Sequence, residues 1–174
     1  MKNLLKILCI IVCLLYFESH IYGQEVSKKY FGFGLGLDYG GYGGKIEFLP
    51  VKNFGIFGSL GYIFFREGWN LGFTCKILPL KKVSPNLLYF YGFNGALIVE
   101  GASHFNTVSY GVTVGANLDI KVNNKGDKFS LGFFIPMRSS NFLDRYNEVK
   151  NNGSISMKNE LLLYTISLGF NFVI

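Results

Sequence analysis

The sequence predicts an all-β chain, an up-and-down antiparallel β-barrel of eight strands preceded by a short leader. Three observations carry this reading. The last thirteen residues alternate without a break. Leu162, Tyr164, Ile166, Leu168, Phe170, Phe172 and Ile174 share one face, and Leu163, Thr165, Ser167, Gly169, Asn171 and Val173 the other. A period of two is that of a strand. Similar segments recur along the chain with turn residues between them. The composition joins 22 Gly, 18 Phe and 11 Tyr to only 16% charged residues, a combination foreign to most water-facing folds.

The leader comes first. Lys2 and Lys6 precede an apolar run from Ile7 to Phe17, and Gly23 offers a small residue before a cut that leaves Gln24 in front. This is the pattern of a cleavable signal peptide over residues 1–23. The run is short of the ~20 residues a spanning helix needs, and Ile11-Val12 before Cys13 lacks the small residues of a lipobox. Residues 24–174 then form one domain with Cys75 as its sole cysteine. That rules out an internal disulfide, and no Cys/His cluster suits zinc.

The first strand runs from Tyr30 to Tyr39, with Phe31, Phe33, Leu35, Leu37 and Tyr39 opposite Gly32, Gly34, Gly36 and Asp38. Gly40 to Gly44 supply a hairpin tip, and Lys45 to Val51 runs back. Pro50 and Lys52-Asn53 mark a tight turn. Phe54 to Phe65 is the third strand, and Arg66-Glu67-Gly68 the next turn. Trp69 to Leu78 sets Trp69, Leu71, Phe73, Cys75 and Ile77 against Asn70, Gly72, Thr74 and Lys76. Pro79 to Asn86 interrupts the pattern.

Leu87 to Val99 is the fifth strand and Glu100 to Thr107 a loop. Val108 to Lys121 alternates cleanly as the sixth. Asn123 to Lys128 reads as a polar turn, Phe129 to Met137 as the seventh strand, and the closing segment as the eighth. Between the last two, Ser140 or Asn141 caps a helix through Lys150, and Phe142, Tyr146 and Val149 share one side of it. Asn151-Asn152-Gly153 ends it.

The two faces decide the solvent. A water-soluble barrel covers its exterior with Lys, Glu, Asp and Gln. Here the non-apolar face is mostly Gly, Ser, Thr, Asn and Ala, which suit the crowded bore of a narrow barrel. The bulky face forms a continuous belt that only lipid or another protein can cover. Closing the sheet pairs every backbone group, as a bilayer demands. The expectation is a transmembrane barrel. An even strand number places both ends in the periplasm. The turns at 50–54, 79–86 and 122–128 then face the periplasm, and the segments at 38–44, 65–69, 100–107 and 138–161 face outside.

These residues carry a resemblance. The segments Asp38-Tyr-Gly-Gly-Tyr-Gly-Gly-Lys45, Pro50-Val-Lys-Asn-Phe-Gly-Ile-Phe57 and Arg138-Ser-Ser-Asn-Phe142, set among eight alternating strands, resemble small outer-membrane β-barrel proteins. That is the OmpA/OmpX-like class, in its Bacteroidetes-type form. The resemblance implies an integral outer-membrane location and contact with lipid and lipopolysaccharide. It also implies insertion by the barrel-assembly machinery. Ile174 stands where such barrels end in Phe, so recognition by that machinery would rest on Phe170, Phe172 and Ile174 together.

Candidate site residues follow from the inward parity. Lys45, Glu47, Lys76, Asn94, Asn117, Asp119 and Arg138 fall on the bore side or its rim, where opposite charges must pair. The expected role is structural or surface-interacting, through a largely plugged bore. Phe142, Tyr146 and Val149 are the loop candidates for contact with a partner. A narrow pore for ions or small solutes is the alternative. A lipid A esterase is a second, using His104 with Ser103, Ser109 and Glu100 nearby. No cofactor is implied, no basic stripe suits nucleic acid, and a monomer is expected. Gly32-x-Gly34-x-Gly36 lacks the strand-turn-helix setting of a nucleotide loop, and Gly40 to Lys45 lacks the Ser or Thr of a phosphate loop.

Overall fold

The structure, a computed structural model, describes residues 27–63, 65–99, 105–151 and 161–174. The leader, including the proposed cut after Gly23, lies outside the described residues. So do Glu100, Ser103 and His104, and Asn152-Gly153 at the expected helix end.

Eight antiparallel strands among the described residues close into a barrel in sequence order. They are β1 Lys28–Gly36, β2 Gly41–Val51, β3 Phe54–Ile63, β4 Arg66–Lys76, β5 Val83–Leu97, β6 Thr107–Lys121, β7 Lys128–Pro136 and β8 Thr165–Val173. Helix α1, Ser140–Asn151, stands between β7 and β8. Pairing of β1 with β8, from Tyr30↔Val173 to Leu35↔Leu168, removes both sheet edges. The Ile174 backbone N–H donates to Lys29 at 3.0 Å and finishes the seam.

Alternation sorts side chains as the sequence predicts along most of the wall. In β7, Lys128, Ser130, Gly132, Phe134 and Pro136 are buried, while Phe129, Leu131, Phe133 and Ile135 are exposed. In β4, Trp69, Leu71, Phe73 and Cys75 point out and Asn70, Gly72, Thr74 and Lys76 point in. The outer surface is an unbroken apolar belt. Leu60, Leu71, Leu87, Leu131, Ile166 and Leu168 are all exposed around it.

Several local expectations are corrected, and Gly41 to Gly44 and Arg66 to Gly68, expected as turns, belong to β2 and β4. Leu37 and Tyr39, expected on the outer face of a longer first strand, are buried inside. Gly36 and Gly40, with φ of 123° and 71°, release the backbone into a single 3₁₀ turn at Leu37–Tyr39 that folds into the bore. Phe93, on outward parity, also turns in, because a bulge between Phe93 and Gly95 shifts the β5–β6 register.

Strand β5 begins at Val83, through Pro85. The β4 ladder ends at Lys76↔Asn86, so the missing Pro85 N–H breaks no bond to β4. Finally, β8 begins at Thr165, and Leu162 to Tyr164 are an exposed approach to it.

The barrel thus has two unlike ends. The turn end carries the short links around Lys52, Pro79 and Lys125. The loop end carries the inward 3₁₀ turn and α1.

Candidate functional site

The bore is filled in layers. At the turn end, four strands each contribute one charge: Glu47 from β2, Lys76 from β4, Asp119 from β6 and Lys128 from β7. Lys128 Nζ lies 2.6 Å from Glu47 and 2.8 Å from Asp119. Lys76 Nζ lies 3.2 Å from Glu47 and 3.1 Å from Asp119. Each cation therefore touches both anions, and the square is neutral as a whole. All four side chains are almost fully buried. A buried charge is costly unless paired and hydrogen-bonded, and here each has two opposite partners. The Ser130 hydroxyl donates to Asp119 at 2.6 Å, and the Tyr30 ring lies 4.2 Å from the Lys128 ammonium.

Amides extend this layer. Asn171 donates to Ser130 at 3.0 Å and to the Tyr39 hydroxyl at 3.1 Å. Asn86 donates to Asn117 at 2.6 Å, and Ser84 to Asn86 at 3.1 Å.

A second ion pair sits nearer the loop end. Lys45 Nζ is 2.5 Å from Asp38 and 4.2 Å from the centre of the Tyr39 ring. Both partners come from the inward 3₁₀ turn, which Asn70 fixes by donating to the Leu37 carbonyl at 2.7 Å. An apolar plug of Leu37, Phe57, Ile63, Leu88, Phe90, Phe93 and Phe134 fills the bore. Phe90 stands edge-on to Phe57 at 5.7 Å and to Phe134 at 5.5 Å.

The seven inward residues expected as one network are divided among separate groups. Glu47, Lys76 and Asp119 meet in the square. Lys45 belongs to the Asp38 pair, and Asn117 to Asn86. Asn94 donates to the Met137 carbonyl at 2.9 Å, and half-buried Arg138 to the Leu162 carbonyl at 2.7 Å. Lys128, read as a turn residue, completes the square. Its parity with Ser130, Gly132 and Phe134 was the signal that places it inside. Asp38 was on inward parity, but no local pattern tells that its turn folds back onto Lys45.

Helix α1 covers the loop end. Phe142, Tyr146 and Val149 are buried against Leu97 and Val99. This corrects their reading as contact residues, because the face they share packs on the protein itself. The opposite side of α1 exposes Leu143, Asp144 and Arg145. A groove of about 490 Å³ runs between α1 and β6, bordered by Thr107, Asn141, Asp144, Arg145 and Glu148. Ser109, the described member of the esterase set, is buried on β6. Among the described residues no group of three His, Cys, Asp or Glu could hold a metal.

The fold and site define a class by geometry alone: a closed antiparallel barrel, apolar outside and charge-paired inside. No family model, curated protein or solved structure matches the chain in comparisons with all three.

Proposed function

We propose that this chain is an integral outer-membrane β-barrel. In this reading the bore is closed, and the protein supports the envelope or meets surface partners through its α1-capped end. The observation that carries this is the inversion of polarity. Glu47, Lys76, Asp119 and Lys128 are inside, whereas Phe33, Leu60, Leu71, Phe73, Leu131 and Ile166 are exposed around the whole wall. Water cannot favour such a surface, and hydrocarbon does.

Trp and Tyr rings at the loop-end margin of the belt support the same reading. Trp69 packs on Tyr110 at 5.8 Å and on Tyr91 at 6.2 Å toward the loop end. Amphipathic rings favour membrane interfaces. Export by the 1–23 leader and a monomeric state belong to this proposal.

Two measurements test it. Refolded protein added to preformed vesicles should insert and resist alkaline carbonate extraction; full release would overturn the location. In planar bilayers it should give no discrete conductance steps, because Phe57, Phe90 and Phe134 fill the bore. Steps that change ion preference on mutating Lys76 or Asp119 would favour the narrow pore instead.

A further inference from the structure

The turn end carries an excess of positive charge that the bore does not neutralise. Lys28, Lys29, Lys52, Lys81, Lys82, Lys121 and Lys125 gather there. Glu47 and Asp119 are engaged by Lys76 and Lys128. Asp127 is held by the Val173 backbone N–H and the Asn123 amide. None of the ion pairs among the described residues includes any of these seven lysines.

Three of them, Lys28, Lys52 and Lys121, line a cavity of about 150 Å³ together with Lys76 of the charge square, and Tyr30, Leu49 and Leu80 form its apolar wall. Lys121 is steadied there by donating to the Pro79 carbonyl at 3.0 Å, and its ammonium keeps two further N–H donors. Leu80 is 73% exposed at the rim, with exposed Leu78 close by.

We propose that this cavity binds the phosphate of an anionic phospholipid headgroup. Lys76 is neutralised within the square, so the three remaining lysines leave a net positive charge around one small space, which matches a compact anion. Cavities for whole ligands run to roughly 300 Å³ and more, so this one takes a group and leaves the rest of the molecule outside. The exposed leucines beside the lysines lie where the glycerol and first acyl carbons of such a lipid would run. Lysine stems favour this position, apolar along their length and charged at the tip. The inference rests on the membrane location proposed above.

The test uses the full barrel in vesicles of phosphatidylcholine alone or mixed equally with phosphatidylglycerol. Native mass spectrometry after gentle extraction then reads the lipid retained. The wild type should retain phosphatidylglycerol, with retention falling about fivefold for each of Lys28, Lys52 and Lys121 changed to Gln. The variant K29Q/K81Q/K125Q removes the same charge at the same end away from the cavity, and it should retain lipid like the wild type. An equal loss in K28Q/K52Q/K121Q and in K29Q/K81Q/K125Q overturns the cavity in favour of diffuse attraction. The single variant K52Q, on a turn, keeps the test independent of folding.

Displacement of the lipid by soluble glycerol phosphate or inorganic phosphate at equal concentration overturns the lipid source. Insertion into both vesicles without preference overturns this inference and leaves the membrane reading standing. Failure to insert into either overturns both.

Discussion

Lys128 Nζ lies 2.6 Å from Glu47 Oε2, a contact that ties β7 to β2 across the bore between residues 81 positions apart in the chain. The two strands are separated along the wall by β8 and β1. The pair therefore braces the seam where the chain closes on itself. With Lys76 and Asp119 it forms a neutral square in which removing any corner leaves a net charge in a buried space.

Replacing Glu47 by Ala should destabilise the barrel by about 3–5 kcal/mol, because Lys76 and Lys128 then face Asp119 alone. The quadruple variant E47L/K76M/D119L/K128M should recover most of that loss, since a matched apolar filling carries no desolvation cost. Urea unfolding in micelles reads both. Equal stability of E47A and wild type would show that the square contributes nothing.

Gly169 lies under the Tyr39 ring, and a Cβ there would overlap the Tyr39 hydroxyl and ring carbons. Gly169→Ala should cost about 1–3 kcal/mol through this overpacking. Combining it with Tyr39→Ala should yield less than the sum of the two single losses, because the clash is gone. Additive losses in the double-mutant cycle would place the strain elsewhere.

Val149 is 1% exposed on the inward face of α1. Val149→Asp buries a carboxylate against Leu97 and Val99, at a cost of about 1–3 kcal/mol or more. The helix should lift, and trypsin should cut at Arg145 roughly tenfold faster, in proportion to the open population. Amide exchange in the eight strands should not change. Unaltered cleavage would mean that α1 is held by something other than this face.

Asp127 offers a pH dependence at the β6–β7 turn. The Val173 backbone N–H and then the Asn123 amide, which donate to its two oxygens, hold its carboxyl below the usual carboxylate range. A depressed value in the folded state means that its stabilisation is complete above the unfolded carboxylate value near ~3.9 and fades as pH falls through the folded value. The stability gap between wild type and Asp127→Asn should therefore be largest at neutral pH and shrink on acidification below about pH 4. Parallel thermal melts at two pH values measure it. A gap that grows in acid would reverse the sign.

Parity along single strands was legible because it is local. A residue two places from Asn70 must share its face, so Thr74 and Lys76 were assigned inward without knowledge of any neighbour. The helix start at Ser140 and the apolar stripe of Phe142, Tyr146 and Val149 were legible for the same reason. The seven candidate bore residues were found by parity, but their grouping was not. Whether Lys45 meets Glu47 or Asp38 depends on the stagger of strands and on a turn that folds inward.

The alternating pattern was thus sufficient to specify the number of strands, the all-β barrel and the inward side chains at most strand positions. It expresses backbone sterics, which act over two residues at a time. Only the closed barrel decided that Lys128 completes the charge square, that Leu37 and Tyr39 fill the bore, and that α1 turns its apolar face downward. Those outcomes depend on side chains far apart in sequence competing for one narrow space. Positive-φ glycines, a bulge and opposite charges settle that competition once the strands have closed.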